Sequence, residues 1–133
     1  ALKTLHQFFC EKIKLYFSRL ASNKDENPVV FQIKEYLHQN YAVPSLSVPD
    51  ISEHVRLSPT YVCTLFKNEI GQTLNQYLTD YRIKMSKQFL SDPLYKITDI
   101  SAKVGYSDGN YYSKAFRKIV GLSPSEYREK MLR

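Results

Sequence analysis

Asp108-Gly-Asn-Tyr-Tyr-Ser-Lys-Ala-Phe-Arg-Lys-Ile-Val120 is the stretch that decides the fold. At about 100° per residue, Tyr112, Phe116, Ile119 and Val120 gather on one side. Asn110, Lys114, Arg117 and Lys118 fall on or near the other. Immediately before it stand Asp99-Ile100-Ser101-Ala102-Lys103-Val104 and then Gly105-Tyr106-Ser107. This order predicts a short helix, a tight turn at a glycine, and a second helix with a basic, amide-bearing outer face. It is the sequence form of a helix-turn-helix, and its second helix has the chemistry to enter a DNA major groove.

The rest of the chain agrees with that reading. Its 133 residues suffice for one domain or two very small ones. A hydrophobic content of 43% is ordinary for a globular protein and excludes disorder. No apolar run approaches the ~18 residues a membrane helix needs, so no membrane contact is expected. The start, Ala1-Leu2-Lys3-Thr4-Leu5, lacks both a signal-peptide layout and Met, which predicts a fragment of a longer chain. Nineteen basic and 13 acidic residues leave a net charge of +6, suited to a polyanion partner. Cys10 and Cys63 read as reduced thiols. His6, His38 and His54 show no ligand spacing, so no metal and no cofactor is expected. Gly and Pro sit where helices would start or stop, and no stretch alternates long enough for a strand, so the fold class is all-α.

Residues 2–21 read as one amphipathic helix with a seam of Leu2, Leu5, Phe9, Ile13, Tyr16 and Leu20. That seam suits the tail of an upstream domain or a dimerising helix; packing onto the rest of the chain is the alternative. Ser22 to Asn27 is a polar hinge, giving a linker over residues 1–27 and a domain over 28–131. Pro28 opens a helix reaching about Tyr41, with Val30, Ile33 and Leu37 inward. A first helix-turn-helix unit spans about 47–71, with Tyr61, Val62, Leu65 and Phe66 on the apolar side of its second helix. A bridging helix spans about 73–91, where Leu74, Tyr77, Leu78, Tyr81, Met85 and Phe89 form one stripe. The second unit spans about 97–121, and Ser123-Pro124 starts a last short helix.

The chain repeats itself. Asp50-Ile51-Ser52 returns as Asp99-Ile100-Ser101, Val55 as Val104 and Ser58 as Ser107, each 49 residues later. After one inserted residue the offset becomes 50: Tyr61 returns as Tyr111, Phe66-Lys67 as Phe116-Arg117, Gly71 as Gly121, and Tyr77 as Tyr127. A copy of ~50 residues buries too little surface to be robust alone. The bridging helix is therefore expected to supply core to both and to set their spacing. Recognition helices facing one way, ~34 Å apart, would read successive major grooves on one face of a duplex.

Gly105-Tyr106-Ser107-Asp108, the run Tyr111 to Lys118, Gly121 and Ser123-Pro124-Ser125-Glu126-Tyr127-Arg128 resemble the signature of the AraC/XylS family of bacterial transcription regulators. Leu57-Ser58-Pro59-Thr60-Tyr61, Leu65-Phe66-Lys67, Gly71 and Tyr81-Arg82-Ile83 agree, so the resemblance covers about residues 28–131. It implies a seven-helix, cytoplasmic DNA-binding domain with two helix-turn-helix units. Such a domain binds promoter DNA and commonly activates transcription by contacting RNA polymerase. It also implies a partner domain, often a sugar-sensing cupin or a phosphorylated receiver, which residues 1–27 do not identify.

By the same resemblance, base contacts fall on Thr60, Cys63 and Thr64 in the first unit and on Asn110, Ser113 and Lys114 in the second. The sequence departs from many members in lacking an Arg at Thr64. Thr60, Cys63 and Thr64 can make single hydrogen bonds or touch a thymine methyl but cannot fork onto guanine. Asn110 suits adenine and Lys114 suits guanine, so the second unit is expected to dominate direct readout. Lys67, Tyr111, Arg117 and Lys118 are the expected phosphate contacts. Tyr61 is expected to pack inward, and Arg82 to form a structural ion pair. No Gly-rich phosphate loop, nucleophile elbow or acid pair points to an enzyme. The competing reading is an all-α interaction module that homodimerises through residues 2–21.

Overall fold

Helix starts in this chain are marked by side-chain oxygens. Asn27 Oδ1 accepts from Val29 N at 2.8 Å, Ser58 Oγ from Tyr61 N at 3.2 Å, and Ser123 Oγ from Glu126 N at 3.1 Å. Asp108 Oδ1 accepts from Asn110 N at 2.8 Å. Each satisfies a backbone donor that the helix itself cannot. Thr73 and Gln76 exchange hydrogen bonds in a capping box: Thr73 Oγ1 accepts from Gln76 N at 3.1 Å, and Gln76 Oε1 accepts from Thr73 N at 2.9 Å. Gly71 and Gly121 end their helices at φ 84° and 90°, the left-handed C-terminal stop that glycine adopts without strain.

The resulting architecture, in a computed structural model that describes residues 26–132, is all-α. The helices are α1 (Pro28–Asn40), α2 (Val48–Val55), α3 (Pro59–Ile70), α4 (Leu74–Leu90), α5 (Ile97–Lys103), α6 (Gly109–Val120) and α7 (Pro124–Met131). Among the described residues there is no strand. The amphipathic helix expected over residues 2–21 lies outside them. Helices α2–α3 and α5–α6 form the two helix-turn-helix units, and α4 joins them.

Each unit has its own core. Val30, Ile33 and Leu37 of α1 meet Ile51 of α2, Val62 and Phe66 of α3, and Leu74 and Leu78 of α4. Ile83 and Leu90 of α4 meet Ile100, Val104, Tyr112 and Phe116 of the second unit. The stripe expected along α4 therefore needs correction. Leu74 and Leu78 are buried, but Tyr77, Tyr81, Met85 and Phe89 are only partly so, while Ile83, Ser86 and Leu90 are fully enclosed. The reason is geometric. At about 100° per residue, the Leu74–Leu78 pair and the Ile83–Ser86–Leu90 set point in directions roughly 130° apart. One rod serves two cores on two of its sides, so no single stripe exists.

The units are clasped at Tyr41, which packs against both cores. Arg82 Nε donates to Tyr41 O at 2.8 Å and Arg82 Nη2 to Val43 O at 2.9 Å. These carbonyls follow the last turn of α1, where backbone acceptors lack helical partners and a cation is favoured. The guanidinium lies 5.6 Å from the centre of the Tyr106 ring. Arg82 thus forks onto backbone and is not part of the ion pair expected from sequence. Burial lowers its pKa from the usual arginine value, with Tyr106 opposing. Arg128 repeats the device at the end of α4, donating to Leu90 O and Asp92 O, both at 3.1 Å.

Gly105, the turn residue of the second unit, presses on this clasp at φ 97°. A Cβ there would collide with Tyr41 O and lie 2.7 Å from Arg82 Nε. Gly105→Ala is expected to cost roughly 2–3 kcal/mol, from left-handed strain plus the backbone clash; an unchanged denaturation midpoint would refute that account. Tyr112 is 1% exposed, and its hydroxyl has no partner of hydrogen-bond geometry. Burial raises its pKa, the nearby Ser86 hydroxyl opposes the rise, and Ser86 Oγ itself donates to Ile83 O at 2.7 Å. Tyr112→Phe removes a buried oxygen that is not well paired, so thermal unfolding should show stability unchanged or raised by up to about 1 kcal/mol.

Candidate nucleic-acid interface

Helix α3 starts at Ser58-Pro59, whose hydroxyl and fixed φ set its first turn. Val62 and Phe66 are fully buried beneath it, which turns Thr60, Cys63, Thr64 and Lys67 outward, all exposed. In α6 the capping Asp108 sets the same start, and Tyr112 and Phe116 occupy the positions of Val62 and Phe66. Asn110, Lys114, Arg117 and Lys118 are exposed, and Ser113 is half-buried on the flank. The expected base- and phosphate-contacting positions thus lie on the outer sides of two repeat-related helices.

The two outer faces differ in charge. On α3 the expected base-contacting side chains are short and neutral, with Lys67 the cation beside them. On α6, Lys114, Arg117 and Lys118 share the outer side with Asn110. Coulomb attraction to a polyanion is therefore concentrated on the second unit.

Two expectations about these helices require correction. Tyr61 does not pack inward; it is 53% exposed, as its repeat counterpart Tyr111 is at 68%. Tyr61 sits roughly 100–140° around the helix from Val62 and Phe66, beyond the stripe one helix can bury. Ile119 is 43% exposed although its angular position lies with Tyr112 and Phe116. It borders a recess that nothing on α4 fills. That recess, of about 630 Å³, is floored by Gln72, Asn75, Gln76, Thr79 and Asp80 and walled by Gly71 on one side and Ala115, Lys118 and Ile119 on the other. Sequence reasoning missed it, because a gap between units leaves no mark on the periodicity of either helix.

Cys63 is exposed on α3. Among the described residues no group of His, Cys, Asp or Glu could hold a metal ion, and no helix is long and apolar enough to cross a membrane.

Comparison with known proteins follows the same lines. A family described as a helix-turn-helix domain matches residues 51–130. The Msm operon regulatory protein of Streptococcus mutans is 34% identical over 83% of the chain, which spans only 39% of that protein's length. The C-terminal domain of AraT, a response regulator from Geobacillus stearothermophilus, superposes with a TM-score of 0.76 at 29% identity, covering 78% of this chain and 86% of that one. A Chromobacterium violaceum transcriptional regulator with an AraC-type DNA-binding domain superposes with a TM-score of 0.71 at 25% identity, covering 78% and 92%. With two helix-turn-helix units on one central helix and a family match over more than half its length, the chain belongs to the AraC-type helix-turn-helix family.

Proposed function

We propose that this chain is the DNA-binding output part of a bacterial transcription regulator, most simply an activator. Residues 28–131 form the binding domain, and residues 1–27 are the linker segment. The observation that supports this best is that both repeat-related helices bury equivalent residues and expose polar outer faces. In this reading α3 and α6 enter neighbouring major grooves of one double-stranded promoter. Asn110 pairs with adenine, Lys114 with guanine, and Ser113 contacts from the flank. Thr60, Cys63 and Thr64 provide groove fit and thymine-methyl contact. Lys67, Tyr111, Arg117 and Lys118 hold phosphates, which set affinity and salt dependence and not sequence. The family resemblance supports RNA polymerase as a partner, a cytoplasmic setting and a binding rather than catalytic role. The apolar seam of residues 2–21 supports homodimerisation.

The test is titration of the chain against duplexes selected from a random pool, over a range of salt. Binding should be sequence-specific, with affinity falling steeply as salt rises. Lys114→Ala should cost about 1–3 kcal/mol and relax preference at one base pair. Lys67→Ala or Arg117→Ala should weaken all sequences equally and reduce the salt slope by about one. Equal affinity for every duplex, or an unaffected Lys114→Ala variant, would overturn the assignment.

A further inference from the structure

Beyond the rod itself, the two units are joined where Tyr41, Arg82, Gly105 and Tyr106 meet. The helix pairs that pack substantially lie within one unit or include α4, with α1 counted in the first unit and α7 in the second. Along α4, Leu78 is the last buried residue of the first core and Ile83 the first of the second. Residues 79–82 between them include no fully buried residue, so neither core grips the rod there. Arg82 stands in that gap. Its Nε and Nη2 donate to the carbonyls of Tyr41 and Val43, 41 and 39 residues upstream. Its guanidinium meets the Tyr106 ring of the second unit at 5.6 Å, and Gly105 beside it has no room for a Cβ. A planar group with two donors aimed at two carbonyls fixes both a position and a plane, which a point charge cannot do.

The repeat shows what this contact demands. The first-unit counterparts of Gly105 and Tyr106 are Arg56 and Leu57, 49 residues earlier. Arg56 also takes a positive φ, 59°, so a turn of this kind accepts a side chain. Glycine stands only in the copy whose turn closes on Tyr41 and Arg82. An aromatic ring likewise stands only in the copy that faces the guanidinium. The second turn is thus shaped by its contact with the first unit as well as by its own helix-turn-helix geometry.

Each added base pair advances a duplex by about 3.4 Å and turns it by about 35°. Two heads on a pivoting rod would follow such a step at little cost, and two heads held rigidly would not. We infer that Arg82 sets the half-site spacing this chain accepts, by holding α3 and α6 in one mutual orientation. It is a positioning residue, acting through the recognition helices and not on the bases. The inference rests on the DNA-binding reading above. Spacing selectivity and the affinity of each head then separate, because each head keeps its own core when the clasp opens.

Arg82→Lys keeps the charge and loses the fork. On duplexes carrying both selected half-sites, the wild-type chain should prefer the selected spacing over spacings one base pair longer or shorter. In Arg82→Lys that preference should shrink by about tenfold, the scale of a lost charge-assisted contact. Affinity for a duplex carrying only the half-site of α6 should not change. In the DNA-free chain, residual dipolar couplings of the two units should fit one alignment tensor in the wild type and need two in the variant. Tyr106→Leu installs the residue type of the first unit and leaves the fork in place. It should narrow the preference less, and it decides the matter if Arg82→Lys does not fold. An unchanged preference in the variant that folds overturns the inference. So does an equal loss on every duplex, the single half-site included, which marks Arg82 as holding the fold alone. A wild-type chain that binds its half-sites specifically at any spacing overturns the inference and leaves the DNA-binding reading standing. A wild-type chain that prefers no sequence would sink both.

Discussion

One guanidinium holds the two halves of this molecule in register. Arg82 rises from the middle of α4, forks onto the carbonyls of Tyr41 and Val43, and lies against the Tyr106 ring. Each partner belongs to a different part: the end of α1 in the first unit, and the turn of the second. Charge-assisted donation to helix-end carbonyls is stronger than a neutral hydrogen bond and more directional than a surface ion pair. Gly105 then closes the contact by having no side chain to intrude. Without this clasp the units would touch mainly through α4, and the angle between their recognition helices would follow the bending of one rod.

The division of labour along α4 follows from that arrangement. A helix with one apolar stripe can face one core. Here Leu74 and Leu78 serve the first core and Ile83 and Leu90 the second, from different sides. Tyr77 and Tyr81 remain partly solvated and both stack on His38, whose ring lies 4.3 Å from that of Tyr81 and 5.9 Å from that of Tyr77. Rigidity comes from two anchorages on one rod, with Arg128 repeating the carbonyl fork at its far end.

Local features were legible in the sequence, and features made by the meeting of units were not. Ser58-Pro59, Asp108 and Ser123-Pro124 declare their helix starts, and Gly71 and Gly121 their ends, because capping chemistry acts within a few residues. The buried pairs Val62–Phe66 and Tyr112–Phe116 follow from periodicity, and so do the exposed faces opposite them. Tyr61 misled because an aromatic ring looks apolar whatever its angle on the helix. Arg82 misled because its acceptors are backbone oxygens, which no residue type advertises. The split stripe of α4 and the recess beside it are consequences of two bodies packing on one helix. Neither has a period to detect.

The tandem arrangement also gives the protein a direction. A two-fold symmetric reader sits on its target identically after being turned end for end. This chain has one head whose outer helix face carries a single lysine and another whose face carries Lys114, Arg117 and Lys118, so turning it over exchanges unlike surfaces. A duplex gripped by both heads would be held with a defined upstream and downstream. That polarity comes from a single polypeptide, with no second subunit needed to supply it.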